Sequence, residues 1–165
     1  MNFKSEKGFT GVDITVALIV VLLFMSLIAV VFFEIEKSSK DIERESEATY
    51  LATNIIELFR SKKYDDVQLT GNDEEGNPRA ILITEYKDGN NQLIIPVYTE
   101  NDTNPSSSSV LIKTGYTVYV TVKNHVPIGR TNPSDLVKIV TIDVQYKLAG
   151  SVKNVELSTS IVREL

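Results

Sequence analysis

The sequence predicts an α+β fold in which one long N-terminal helix packs on an antiparallel β-sheet. Residues 14–33 carry no charge and are mostly apolar, and residues 12–70 contain neither glycine nor proline, the residues that most often end a helix. Beyond a polar loop at residues 65–78, apolar side chains recur at every second position, which is the spacing of half-buried strands. A helix and a sheet that each have one apolar face bury both faces by packing together.

The apolar run at residues 14–33 predicts a membrane-spanning helix. Twenty residues rise about 30 Å as an α-helix, which matches the hydrocarbon core of a bilayer. Asp13 stands directly before this run. A charged side chain near the membrane costs on the order of 2.5–3.5 kcal/mol, so Asp13 is expected to need a partner. The alternative is that Asp13 lies at the headgroup boundary and solvates the end of an ordinary anchor.

The helix is predicted to continue beyond the membrane to about residue 62, because residues 34–63 are rich in helix formers. Apolar residues in this part follow the spacing of one helix face, which is predicted to pack on the sheet. They are Ala48, Leu51, Ala52, Ile55, Leu58 and Phe59. The expected division is a membrane-spanning helix at residues 9–37 and an extracytoplasmic globular head at residues 38–165.

A first β-hairpin is predicted early in the head. Residues 80–86 and 92–99 are rich in strand-forming residues, and the polar segment 87–91 between them contains Asp, Gly and two Asn. Such a segment between two apolar runs is typical of a hairpin turn. Residues 101–109 are polar and of low complexity, so they are predicted to form a loop.

The second half of the head predicts three further strands. Residues 116–123 alternate valine with threonine and tyrosine, and a loop with two prolines follows at 124–135. A long C-terminal hairpin is then expected from strands at 136–148 and 155–163, with its turn at 149–151. One face of its first strand carries Val140, Ile142, Val144 and Tyr146.

Composition agrees with one anchored domain and excludes several function classes. The 165 residues suit a single domain plus a long helix. The absence of cysteine excludes disulfides, thiolate metal sites and cysteine nucleophiles. The net charge of −5 argues against nucleic acid as a partner, because such binding needs clustered lysine and arginine.

The sequence gives little support for an enzymatic function, and we predict no catalytic residue, no metal and no cofactor. His125 is the only histidine, so a two-histidine zinc motif cannot form. The serines at 106–109 have no accompanying base or oxyanion motif. The acidic run at 73–75 offers oxygens for calcium but lacks the ligand spacing of a dedicated loop. Asn101 begins a glycan acceptor sequence, Asn-Asp-Thr.

Three processing signals compete for the N-terminus. A secretory signal would have a shorter apolar stretch and small residues at its end, whereas this run ends in two phenylalanines, Phe32 and Phe33. A lipoprotein signal requires a cysteine, which the chain lacks. The third is a cut before the apolar run, between Gly8 and Phe9, which leaves the apolar helix on the mature protein.

The third pattern resembles the class III prepilin signal of type IV pilins and of type II secretion pseudopilins. The resemblance covers about the first 35 residues and is carried by the run at 14–33 together with Lys7, Gly8, Phe9, Thr10 and Asp13. It implies that prepilin peptidase removes residues 1–8 as a leader and that the new amino terminus at Phe9 is N-methylated. The family's acidic residue, usually glutamate, matches Asp13.

The resemblance also implies how the chain would assemble. In the family, the acidic residue neutralises the positive amino terminus of a neighbouring subunit, so Asp13 would pair with the Phe9 amine of an adjacent subunit. Thr10 and Asp13 are thus the expected assembly residues, and other pilin subunits and prepilin peptidase are the expected partners. The chain would span the cytoplasmic membrane once before assembly and lie in an extracellular filament afterwards.

The expected function is therefore that of a structural subunit without catalysis. The C-terminal hairpin resembles that of minor pilins of the pilus-modification type, which favours a minor subunit of a type IV pilus or related filament. A type II secretion or competence pseudopilin is the first alternative. A membrane-tethered extracytoplasmic binding module unrelated to filaments is the second.

Overall fold

The computed structural model describes residues 11–92, 97–100 and 109–164. These residues form two compact units, of which the first ends at Ile42 and the second begins at Glu43. Helix α1, Gly11–Arg60, contributes to both units. The leader and the cut site predicted at Gly8 and Phe9 lie outside the described residues.

Helix α1 confirms the predicted long helix within the described range. It ends at Arg60, two residues before the predicted end, because Lys63 already has an extended backbone, with φ −70° and ψ 150°. The amide of Ser61 still donates to the Glu57 carbonyl, and the amide of Lys62 donates to the Phe59 carbonyl. Arg60 lies in the last turn, where a positive charge is stabilised by the helix dipole.

The strands of the second unit are β1 Ile81–Leu82, β2 Val97–Thr99, β3 Val110–Ile112, β4 Tyr116–His125, β5 Ser134–Leu148 and β6 Ser151–Val162. Four of them form an antiparallel sheet in the order β1-β4-β5-β6. The other two, β2 and β3, form a two-stranded parallel sheet. The long strands confirm the predicted segment at 116–123 and the predicted C-terminal hairpin, with β6 beginning four residues earlier than expected.

The core lies between one face of α1 and the two central strands, which confirms the predicted α+β class. The helix contributes Ala48, Leu51, Ala52, Ile55, Ile56 and Phe59, all of which are buried. Alternate residues of the strands face them: Val118, Val120 and Val122 on β4, and Val140, Ile142, Val144 and Tyr146 on β5. Ile56 belongs to this face although its position was not predicted, and Leu58 is only partly buried.

The predicted hairpin of residues 80–86 and 92–99 is wrong. Of residues 80–86, all of which the structure describes, only Ile81–Leu82 is a strand, and it pairs with β4. The strand Val97–Thr99 pairs with β3 instead of β1. Ile83–Glu85 instead forms a 3-10 turn, and its N-terminal residue Ile83 is buried together with Tyr86. Positions three apart lie on one side of a 3-10 turn, whereas they point to opposite faces of a strand. Burial of both apolar side chains therefore favours the turn.

The polar segment at 87–91 forms a closed turn of its own. The carboxylate of Asp88 accepts the backbone N–H groups of Asn90 and Gln92, at 2.9 and 3.0 Å. The Asp88 amide in turn donates to the Gln92 carbonyl at 2.7 Å. The turn predicted from the sequence is therefore present, but the segments on either side of it do not pair with each other.

The C-terminal hairpin is closed by Ala149 and Gly150, with φ angles of 48° and 84°. Positive φ at both central residues is the requirement of a type I′ turn, whose twist matches that of the flanking strands. Glycine adopts this conformation freely, whereas alanine is strained in it. The hairpin therefore contains one residue that is poorly suited to its backbone.

Replacing Ala149 with asparagine should stabilise the second unit. Asparagine tolerates the left-handed conformation, so the substitution should add about 1 kcal/mol of stability, or about 2–4 °C in Tm. Thermal melting of the full chain in detergent, followed by circular dichroism, measures the change. Gly150→Ala is the matched control and should lower Tm, because it introduces a side chain at positive φ. An unchanged or lower Tm for Ala149→Asn would contradict the assignment of strain.

Candidate functional site

The apolar part of α1 is the largest exposed apolar surface among the described residues. Its large apolar side chains, from Val12 to Phe33, are 45–72% exposed. Soluble monomers rarely expose contiguous apolar patches larger than a few hundred Å². No described part of the chain covers this surface, since the most apolar window is 0% buried. The described residues therefore do not supply the cover of this surface.

The polar side chains within this run are satisfied by the helix itself. The Thr15 hydroxyl donates to the Gly11 carbonyl at 2.9 Å, and the Ser26 hydroxyl donates to the Leu23 carbonyl at 2.8 Å. Residues 14–33 otherwise carry apolar side chains only. Because a lipid environment offers no water to unpaired polar groups, internal hydrogen bonds of this kind suit the surface to a membrane.

Length and hydropathy agree with that environment. The mean hydropathy of the most apolar 18-residue window of α1 is 3.2. Charged residues resume at Glu34, and Lys40 pairs with Glu36 at 2.6 Å one turn later. A single apolar N-terminal helix of this length is compatible with membrane anchoring.

The structure describes only one of the predicted assembly residues. Asp13 lies in the first turn of α1 and is exposed. The helix N-terminus carries a partial positive charge, which stabilises a carboxylate at this position. Gly8, Phe9 and Thr10 lie outside the described residues. Pairing of Asp13 with the amino terminus of another copy therefore stays a prediction.

The other residues considered from sequence do not come together in one site. His125 is half-buried at the end of β4, next to a shift in the register with β5. The Asp73 carboxylate accepts the backbone N–H groups of Glu75 and Asn77 in its own loop. Asn101 and residues 106–108 are outside the described ranges. Within those ranges, no group of three or more His, Asp or Glu side chains could hold a metal ion.

A groove of about 920 Å³ lies along the second half of α1, between the helix and the segment around β3. Its apolar lining includes Tyr50, which is 70% exposed, and Leu111, which is 48% exposed. Leu51, Leu58 and Val110 complete that lining. The sequence did not predict this groove. Residues 110–115 form too short a run to show periodicity, and the residues of α1 that line the groove lie next to the helix face that packs on the sheet.

Part of the groove lining is a polar contact between the helix and the approach to β4. The ammonium of Lys113 lies 2.6 Å from the Glu47 carboxylate, which also accepts the Tyr116 hydroxyl at 2.8 Å. The guanidinium of Arg44 lies 5.6 Å from the centre of the Tyr116 ring. These contacts join α1 to the β3–β4 connection.

The titration of this cluster follows from its hydrogen bonds. The bond from Lys113, followed by that from Tyr116, lowers the pKa of Glu47 below its usual range. Burial, with a further contribution from the Glu47 carboxylate, raises the pKa of Tyr116 to about 12. Glu47 therefore stays ionised and Tyr116 stays a hydrogen-bond donor over the physiological range.

Comparison with protein-family models, with curated proteins and with solved structures gave no match. The fold and the exposed surfaces are thus the observations from which a function can be argued.

Replacing Glu47 with glutamine should destabilise the head in a pH-dependent way. A lowered carboxyl pKa adds stability that is complete above the ordinary pKa of 4.5 and is lost as pH falls through the lower folded-state value. We expect Tm of Glu47→Gln to be lower than wild type by up to about 3 °C at pH 7, since exposed pairs contribute at most about 1 kcal/mol.

The difference in Tm should shrink as the pH is lowered from 4.5 toward 3, as measured by thermal melting at a series of pH values. Glu45→Gln removes a neighbouring charge on the same helix and serves as the control, with no such pH-dependent difference expected. A Glu47→Gln difference that is constant across this pH range would show that the ion pair is not its source.

Proposed function

We propose that this chain is a structural subunit of a type IV filament, most similar to a minor pilin, that is anchored in the membrane before assembly. The observation that carries the proposal is the exposed, uncharged run at residues 14–33 of α1, with one carboxylate, Asp13, directly before it in the first turn. The prepilin-like residues before it, Lys7 to Thr10, supply the cut-site pattern. A chain of this kind needs no catalytic residue, cofactor or metal.

The exposed helix suits two successive environments. In the membrane, lipid covers the side chains from Ile14 to Phe33. In a filament, the same side chains would contact the helices of other subunits. Burial of apolar surface is non-directional, so it is favourable against lipid and against another helix alike. The satisfied hydroxyls of Thr15 and Ser26 leave no unpaired side-chain donor in this run in either environment.

Asp13 would give assembly its specificity. Removing the helix from the membrane into a bundle buries a carboxylate, and an unpaired buried charge is strongly destabilising. A positive amino terminus at Phe9 of an adjacent subunit would compensate it, and only one axial position of the two helices brings the two charges together. The charge pair would thus select the register that the apolar contacts leave open.

A type II secretion or competence pseudopilin would use the same helix in the same way, and it is the first alternative. A membrane-tethered binding module is the second, and the groove beside Tyr50 and Leu111 favours it, because ligand sites are typically apolar clefts with a few polar groups. The two classes differ at the amino terminus. A filament subunit begins at a methylated Phe9, whereas a simple tethered module keeps residues 1–8.

Processing should depend on Gly8. The bond after it must enter the site of a peptidase, and a bulky side chain there would obstruct close approach of the backbone. We expect Gly8→Leu to accumulate in the membrane as the full-length chain, while the wild type begins at Phe9 when analysed by mass spectrometry. Gly11→Leu is the matched control, since a side chain at Gly11 meets nothing within 4 Å, and it should be processed normally. A Gly8→Leu chain that begins at Phe9 would overturn the assignment of the cut site.

Asp13 should act in assembly and contribute little to insertion. Asp13→Asn removes the charge at similar volume, so membrane localisation and processing should persist. A neutral amide does not balance a buried ammonium, so we expect incorporation into sheared filaments to fall at least about tenfold, at constant total protein.

Immunoblotting of sheared and cell-bound fractions, against a tagged wild-type copy, measures the incorporation of the Asp13 variants. Asp13→Glu keeps the charge and should retain most incorporation. Equal incorporation of Asp13→Asn and wild type would remove the assembly role of this carboxylate.

A further inference from the structure

Strand β6 forms an open edge of the sheet. It pairs with β5 along its whole length, from Val137 opposite Val162 to Leu148 opposite Ser151. In the described parts of the chain, no strand lies on its other side. The opposite edge of the sheet is better covered, since β1 pairs with β4 and the Thr70 amide donates to the Val122 carbonyl at 3.1 Å.

The register identifies which backbone groups of β6 point outward. The amide of Arg163 donates to the carbonyl of Leu136, the residue opposite it, so this is a hydrogen-bonded pair. Hydrogen-bonded pairs alternate along an antiparallel ladder, so the odd-numbered residues of β6 bond to β5. The even-numbered residues turn their N–H and C=O groups to the open edge: Val152, Asn154, Glu156, Ser158, Ser160 and Val162.

Strand β6 has few of the features that usually prevent an edge strand from pairing with another strand. Natural edge strands are blunted by proline, bulges, short length or charged side chains. Strand β6 has twelve residues, contains no proline or glycine, and runs without a register shift. Its charges, Lys153 and Glu156, lie in its first half, and residues 157–162 are uncharged. The open edge is therefore a template for a further strand.

We propose that β6 pairs antiparallel with β6 of a second copy of this chain, in the register that places Leu157 opposite Leu157. In this register Val152 faces Val162, Asn154 faces Ser160 and Glu156 faces Ser158. On the other face Val155 lies opposite Thr159. Leu157, Val155 and the two terminal valines thus meet apolar or β-branched residues, Ile161 lies opposite Lys153, and no like charges face each other.

Symmetry restricts the choice of register. Two antiparallel strands of one sheet are related by a two-fold axis perpendicular to the sheet, so each residue must face a residue on the same side of the sheet. The neighbouring register centred on Glu156 places this carboxylate opposite its own copy, which is destabilising. The register centred on Leu157 avoids that repulsion and uses the full length of the strand.

The two-fold axis also sets the direction of the two copies. Because the axis is perpendicular to the sheet, it reverses every direction within the plane of the sheet, that of the strands included, from one copy to the other. Copies within one array whose subunits all point the same way cannot pair in this manner. If the proposed filament function holds, on which this step rests, β6 would link subunits of separate, oppositely directed filaments.

The absence of cysteine makes the pairing directly measurable. In the proposed register Leu157 occupies a non-hydrogen-bonded pair, with about 4.5 Å between Cα atoms, which lies within the range for disulfides. We expect Leu157→Cys, as the purified full chain in detergent under mild oxidation, to form a disulfide-linked dimer. Val152→Cys is the matched control on the same edge, since its own copy would be about 33 Å away and should not cross-link.

A second change separates edge pairing from association of the apolar helices. Ser158 directs its N–H outward, so Ser158→Pro removes an edge donor without breaking the ladder to β5. Added to Leu157→Cys, it should reduce the disulfide-linked dimer at least about tenfold, because the ring also blocks the approach of a strand. Circular dichroism checks that the head remains folded. Association through the apolar helix would be insensitive to this proline.

A mixture of Glu156→Cys and Ser158→Cys chains tests the same register at exposed positions, where the substitution does not touch the core. It should give the mixed dimer in preference to either dimer of one variant. Equal cross-linking of Leu157→Cys and Val152→Cys, no cross-linking in any arm, or cross-linking that survives Ser158→Pro would each overturn the proposal. Processing at Gly8 is measured at the other end of the chain, so the two proposals can fail independently.

Discussion

The packing of one face of α1 on β4 and β5 is the interaction on which the rest of the second unit depends. Ala48 and Ala52 are fully buried on this face, and their small side chains let the helix backbone come close to the sheet. Ile55 and Phe59 then fill the space between the helix and the valines of the two central strands. At about 25 cal/mol per Å² of buried apolar surface, this contact is the main favourable term in holding helix and sheet together.

Two groups of polar contacts join α1 and the segment after it to the strands. Glu47, Lys113 and Tyr116 join the helix to the approach of β4. Beyond the end of α1, the Lys138 ammonium donates to the carbonyls of Tyr64 and Val67, at 2.8 and 2.6 Å, and lies 3.9 Å from the centre of the Tyr64 ring. Partial burial lowers the pKa of Lys138. Both contacts depend on the buried face, which brings their partners within reach.

The parts that sequence predicted are those with long, regular patterns. Helix α1 and strands β4, β5 and β6 each repeat one spacing over ten or more residues, so local periodicity was sufficient to identify them. The hairpin prediction for residues 80–99 was wrong because the turn-like segment at 87–91 suggested that the two flanking segments pair with each other. Instead, Ile81–Leu82 pairs with β4 and Val97–Thr99 pairs with β3. Such pairings depend on the tertiary fold, as do the groove beside Leu111 and the open edge of β6. Asp13 could be singled out because its signal is local, a single acid directly before an uncharged run.

Two surfaces of the described residues, the apolar run of α1 and the open edge of β6, offer different kinds of contact, so specific binding to each would arise in a different way. The helix surface from Ile14 to Phe33 is apolar on all sides, so it can pack against lipid or against another helix at many rotations and heights. In the proposed assembly, Asp13 would fix the height of one helix against the next once it is buried between them, because an unpaired ion is costly there. The edge of β6 instead offers directional hydrogen bonds, and a strand that slips by one residue turns every side chain to the wrong face. Its specificity is therefore contained in the backbone, and its charged side chains serve only to exclude the registers that place like charges together.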